Sequence, residues 1–257
     1  SSVWEFHAQN MSFKCAVEFD NYEHRFNWVK KGIYFLIEGT QKNRNNPRLL
    51  GNLGWYTGNK LGRSDERVQF RRMFPDDEDF HAEMNKYIDM DKAAGPDRLR
   101  PDNWKVSWLW YDKARQIVDT KGIPIRGKSP LLFHSDTPMA LIHYAVAIEE
   151  DDKPGEIAQR AWQDAGKAWD AYGERDIPTS WGHLIRLNYA EQEQARADKL
   201  AAELDALLPG LREEMIEERR AALSGAERTA LETAEDKRTG EQWTLAEQAE
   251  DKLDVQH

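Results

Sequence analysis

The residues able to do chemistry in this 257-residue chain are dispersed. Its seven histidines nowhere show the i, i+4 spacing that puts two imidazoles on one helical face for zinc. His134 and His143 lie nine apart across Pro138, and His81 stands two before Glu83. His7 falls at a core-like position of an apolar helical face and is expected to be a hydrogen-bonded core histidine. Cys15, the only cysteine, excludes an intrachain disulfide and is expected to be a buried structural thiol. Gly51, Gly54, Gly58 and Gly62 recur at helical intervals without the Gly-Lys-Ser/Thr ending of a phosphate-cradling loop. Arg63, Arg67, Arg71 and Arg72 share roughly one side of a helix, interleaved with Asp65 and Glu66. That pattern predicts a solvated or salt-bridged face in preference to a phosphate or RNA site. The acidic run at 75–79 predicts a solvated helix start, where carboxylates meet the favourable end of the macrodipole. No catalytic group, metal or cofactor is expected from these residues.

The elements that must position them are helical. Trp28, Ile33, Phe35, Leu36 and Ile37 supply one apolar face while Lys30 and Lys31 stay solvated. Gly32 and Gly39 lie seven apart, two turns, on one side of that helix. Each glycine costs about 1 kcal/mol relative to alanine, which is tolerable if another helix packs against the bare backbone. Residues 43–47 break the helix, and Pro47 suits the first turn of the next. There Leu50, Leu53, Gly54 and Thr57 recur at offsets of 3, 4 and 7. Residues 3–19 predict an opening helix with Trp4, His7, Ala8, Met11 and Cys15 on one face. Trp104, Trp108, Tyr111, Ala114 and Val118 line a later aromatic helix, followed by an irregular stretch at 122–130. After the capping sequence Asp136-Thr137-Pro138, Leu141, Tyr144, Ala145 and Ile148 repeat the earlier offsets. A turn at 151–155 leads to Ala158, Trp162 and Ala165, a small-large-small pattern.

These paired helices resemble the tetratricopeptide repeat, in which two antiparallel helices pack through a large-to-small complement. The resemblance implies an all-α, tetratricopeptide-like antiparallel helical-hairpin array over 1–188, in a degenerate form. It implies a partner-binding groove lined by first helices: Arg48, Gly51, Trp55 and Asn59 in one unit, Met139, Ile142, Val146 and Glu149 in the other. Gly51 and Trp55 replace the Lys and Asn with which one subgroup clamps a peptide carboxylate, so that clamp is not implied. Several phrases are also similar to a group of planctomycete proteins labelled "IRE (iron responsive element)": NWVKKGIYFLIEG at 27–39, NNPRLLGNLGWYTGNKLGRSDE at 45–66, RGKSPLLFHSDTPM at 126–139 and AWQDAGKAWDAYG at 161–173. That resemblance implies the soluble part of a membrane-anchored protein, cytoplasmic otherwise, with the membrane segments outside this chain.

Composition bounds the remainder. Forty per cent apolar residues and ten tryptophans are ample for a core. From Tyr189 onward there are 18 acidic and 9 basic residues, against 28 and 27 before it, so the net charge of −10 belongs to the tail. An acidic chain of this kind is a poor candidate for nonspecific nucleic-acid binding, and no nucleic-acid partner is expected. The segment 189–257 is rich in Ala, Glu, Leu and Arg, with Leu200, Leu204, Leu207 and Leu211 in a stripe and a hinge expected at Pro209-Gly210. It is expected to be an acidic helical extension, a coiled-coil arm among its forms. The start at Ser1-Ser2, directly in helical pattern, is expected of a piece of a longer chain.

Function is therefore expected to be protein–protein interaction: a scaffold module whose partners are other proteins or a second copy, with no catalysis. The alternative is an enzyme or a metal- or small-molecule-binding protein with a pocket under loop 121–136, using His134, Asp136 or His143. RNA binding through Arg63, Arg67 and Arg71 is a third reading.

Overall fold

Asn21, Asn46, Asp102 and Ser129 each accept hydrogen bonds from backbone N–H groups two or three residues on, and each starts a helix of the computed structural model. The structure describes residues 2–96, 99–151, 155–179 and 182–255. Within these, twelve α-helices are joined by short turns, and the only strands are two-residue segments at Ile177–Pro178 and Leu184–Ile185, paired antiparallel. The chain is all-α. No helix among the described residues is long and apolar enough to cross a membrane. Two compact units are present, Ser1–Asn188 and Tyr189–His257.

The first unit opens with α1 (Ser2–Gln9), which widens into a π-helical segment, Asn10–Cys15. Then come α2 (Tyr22–Lys42), α3 (Pro47–Trp55) with a second π segment at Tyr56–Lys60, α4 (Arg67–Met73) and α5 (Glu78–Asn85). The longer α6 (Asn103–Lys121), α7 (Pro130–Glu150) and α8 (Glu156–Gly173) complete it. Phe26, Ile33, Leu36, Leu49, Leu53, Phe70, Phe80, Met84 and Trp110 form the main core. Trp104, Tyr144, Ala145, Ile148, Ala158 and Ala161 form a second cluster.

Glycine sets how closely these helices approach. A Cβ on Gly39 would lie 2.9 Å from the Trp4 ring, and one on Gly32 would run into Ser12, so α1 packs against the bare side of α2. On α3, its π segment and the residues that follow it, Gly54, Gly58 and Gly62 form a stripe at four-residue spacing, faced by Tyr111, Ser107 and Trp104 of α6. Ser107 Oγ donates to the Gly54 carbonyl at 2.7 Å. Asn103 Nδ2 donates to the carbonyls of Thr57, at 3.0 Å, and Gly58, at 3.3 Å. A π turn widens the carbonyl ladder, and Asn103 supplies a donor to carbonyls within it. The helix that closes on α3 is thus α6, beyond the intervening α4 and α5.

α7 and α8 pack against each other, and the details correct the sequence reading in two places. First, α7 starts at Pro130, under a Ser129 cap, and Pro138 lies inside it. The Ser129-Pro130 step offers the same cap-then-proline signal as Asp136-Thr137-Pro138 about two helical turns earlier, and the chain uses it. Second, Trp162 is 39% exposed and its Nε1 donates to Glu149 at 2.8 Å. The face packed on α7 is small throughout, Ala158, Ala161 and Ala165. Most of the turn at 151–155 lies outside the described residues. His7 is another correction: it is exposed, edge-on to Phe35, because the buried face of α1 turns toward Ala8 and Ser12. Cys15 is half-buried.

One buried charge cluster holds the end of the second π segment. Lys60 is 4% exposed, its Nζ 3.6 Å from Glu66, while Arg25 reaches the same carboxylate at 3.1 Å. Burial alone would raise the Glu66 carboxyl, but Lys60, the Ser64 hydroxyl, the Glu66 backbone N–H and Arg25 together outweigh it and hold it below its usual range. Lys60 also stands 4.5 Å from the centre of the Phe13 ring, joining the two π segments.

The second unit comprises α9 (Ala190–Leu207), α10 (Leu211–Ala222), α11 (Gly225–Glu232) and α12 (Gly240–Leu253). Reciprocal capping boxes, Ser224 with Glu227 and Thr239 with Gln242, start α11 and α12. The Pro209-Gly210 step separates α9 from α10, and Leu200, Leu204, Leu207 and Leu211 are all exposed.

The glycine stripe makes a signed prediction. A Gly58→Ala Cβ would lie 2.6 Å from Ser107 Oγ, and a Gly54→Ala Cβ 2.8 Å from the Tyr111 ring. Each is expected to destabilise by about 1–3 kcal/mol in urea unfolding, despite alanine's better helix propensity. At Gly51 nothing lies within 4 Å, so Gly51→Ala is expected to stabilise by about 0.4–1 kcal/mol. Stabilisation by the first two would show that α3 and α6 are not in close contact.

Candidate functional site

Arg48, Gly51 and Trp55 lie on successive turns of α3, on the side away from the core. The irregular linker between α6 and α7 crosses in front of them. Together they enclose a cleft of about 250 Å³, floored by Tyr111 and Phe133, with Ile125, Arg126, Gly127, Lys128 and Asp136 on the opposite wall. Gly127 has φ 75°, and a Cβ there would be 3.3 Å from an Arg48 nitrogen. Glycine is therefore what lets the linker close on Arg48.

The charges of the cleft are only partly matched. Arg48 donates to Glu5 at 2.6 Å, and Lys128 to Asp136 at 2.5 Å. Arg126 is exposed and has no ion-pair partner among the described residues. Burial raises the Asp136 carboxyl more than Lys128 lowers it. Burial, reinforced by the charge of Asp136, pushes the Tyr111 phenol far up, so it stays a neutral donor. Trp55 is 41% exposed and rests on Phe13, ring centres 5.8 Å apart, which leaves one face of its indole at the cleft.

The other groove positions expected from sequence lie elsewhere. Asn59 is half-buried one turn beyond Trp55. Met139, Ile142 and Val146 are half-buried along α7, and Glu149 is exposed, accepting from Trp162. Val146 lines a second recess, of about 210 Å³, with Arg63, Arg67, Trp104, His143 and Glu150. Arg48 and Trp55 thus share one cleft, and Val146 belongs to another.

The residues of the enzymatic alternative also separate. Asp136 is in the cleft. His134 is buried away from it, and the charges it feels are those of Arg175, Asp119 and Arg115. His143 lies against Trp104, ring centres 4.7 Å apart, its pKa lowered by burial and then by Arg63. Half of loop 121–136 is the first turns of α7, and an i, i+2 pair points to different sides of a helix. No group of three or more His, Cys, Asp and Glu among the described residues could hold a metal ion.

Sequence reasoning missed Arg126, Gly127 and Tyr111 as partners of Arg48 and Trp55. The only signal was the breaker-rich GIPIRGKSP, which marks a linker but not the helix it crosses.

No protein-family model, curated protein or solved structure matches this chain.

His134 carries a pH prediction. Burial, with Arg175 adding to it, lowers its pKa from 6.5 to about 4, and its Nδ1 has no hydrogen-bond partner among the described residues. Between these values the unfolded chain binds the extra proton and the folded one does not. Its contribution is therefore complete above pH 6.5 and is lost as pH falls through 4. Urea midpoints measured from pH 7.5 down to 4 are expected to fall more steeply for the parent than for His134→Gln. Parallel profiles would mean that His134 is not held neutral.

Proposed function

We propose that this protein is a binding module that holds a short segment of a partner protein in the cleft between α3 and the α6–α7 linker. The observation that carries this is the placing of a half-exposed indole, Trp55, and the Arg126 guanidinium, which has no ion pair among the described residues, around one small cleft. At about 250 Å³ the cleft is below the ~300–1,000 Å³ typical of small-molecule sites. It fits one apolar anchor side chain better than a whole metabolite. Arg48, Arg126 and Lys128 around it favour an acidic neighbour or a terminal carboxylate beside that anchor. The packing of α7 against α8 and the glycine-mediated α1–α2 contact support a tetratricopeptide-like array as the scaffold of this module. The planctomycete resemblance adds an attachment to a membrane through segments outside this chain.

Catalysis at this cleft finds less support. Its one carboxylate, Asp136, is bound by Lys128, and neither His134 nor His143 reaches it.

Gentle crosslinking of the protein in its own cells, followed by mass spectrometry, tests the reading. Crosslinks from one reproducible partner to 48–55 and 125–128 are expected. Trp55→Ala and Arg126→Glu should each weaken capture at least tenfold, since aromatic and arginine anchors dominate such interfaces. Partner capture unchanged in both variants, or a protein recovered alone with a stoichiometric small molecule, would sink it.

A further inference from the structure

A third concavity, which shares Arg67 and Glu150 with the Val146 recess, is lined by exposed residues of α4, and its chemistry differs from that of the Trp55 cleft. It has a volume of about 800 Å³ and is lined by Arg67, Arg71 and Arg72 of α4 and by Arg100, with Glu150 and Asp151 at the end of α7. Among the described residues, four guanidinium groups thus face two carboxylates. Two of the four are committed. Arg71 donates to Asp151 at 2.7 Å and to the Ala147 carbonyl at 3.3 Å, and Arg100 donates to Asp76 at 2.6 Å. Arg67 and Arg72 are exposed and have no ion pair among the described residues.

Like charges gathered in one concavity repel, and the repulsion is relieved when an anion enters. The guanidinium fork matches phosphate oxygens two at a time, so two uncommitted arginines beside two anchored ones suit an anion with several phosphate oxygens. The volume decides the size of the rest. It lies well inside the ~300–1,000 Å³ range of small-molecule sites, so a lone inorganic ion would leave most of it empty. Val68, 48% exposed, and Pro75 give the same concavity an apolar wall. We infer that the arginine cleft on α4 binds a phosphorylated small molecule of nucleotide size, its phosphates on Arg67 and Arg72 and its apolar body against Val68 and Pro75.

Calorimetric titration of the full chain with ADP, inorganic pyrophosphate and adenosine, at two salt concentrations, tests this. ADP is expected to bind best, pyrophosphate more weakly and adenosine not at all, with affinity falling as salt rises. Arg67→Ala/Arg72→Ala is expected to lose at least tenfold in ADP affinity while Trp55→Ala loses nothing. Neither arginine has an ion pair among the described residues, so the melting temperature of the double variant should match the parent's; Arg72→Lys, which keeps the charge but not the fork, should give a smaller loss. No heat with either ADP or pyrophosphate, or equal ADP affinity in the double variant, would overturn the inference. Binding of an oligoribonucleotide under conditions where ADP does not bind would overturn it in favour of a nucleic-acid surface.

Discussion

The first unit rests on the close contact between α3 and α6. Both helices present polar backbone and large rings at the same place, which is possible only because Gly54, Gly58 and Gly62 remove the side chains from one of them. Ser107 and Asn103 then hydrogen-bond to carbonyls that a larger neighbour would have kept apart. Interiors packed this tightly transmit small changes. The contact fixes where Tyr111 sits, and Tyr111 floors the Trp55 cleft. It also places Trp104, which joins α6 to the second core cluster on α7 and α8.

The two π segments meet across this arrangement. Phe13 from the first lies against Trp55 and Tyr56 at the second, and Lys60 closes the group by reaching the Phe13 ring and Glu66. A buried lysine is costly unless paired, and here its partner is shared with Arg25 from α2. The charge cluster thus ties α2, α3 and the turn before α4 together. Removing one member would leave another buried and unmatched, which is strongly destabilising even where the intact pair itself contributes little.

The Trp55 cleft and the arginine concavity on α4 differ in size and charge. The cleft at Trp55 is small and aromatic, with one cation, Arg126, left without an ion pair among the described residues, which suits an apolar anchor with an acidic neighbour from a protein segment. The one on α4 is larger and cationic, which suits a phosphorylated molecule. They draw on different elements of the same unit, α3 with the α6–α7 linker in one and α4 with the end of α7 in the other.

Local sequence determined the helical character of this protein because helix signals are local: the apolar offsets at 50–57 and 141–148, the caps at Asn46 and Ser224, and the break at Pro209-Gly210 can each be read within a few residues. Even Gly32 and Gly39 announced that another helix must lie against them. Which helix it would be was not local information. Whether α3 closes on α4 or on α6 depends on the fit of Ser107 and Tyr111 to a glycine stripe some fifty residues away in sequence. Of two cap-and-proline signals eight residues apart, α7 starts at the first, and the turns it adds carry Phe133 and His134, both buried in the fold. Arg48 and Trp55 could be placed on one helical face from spacing alone. Their meeting with Arg126 and Gly127 could not, because it arises only when the linker between α6 and α7 folds back across α3.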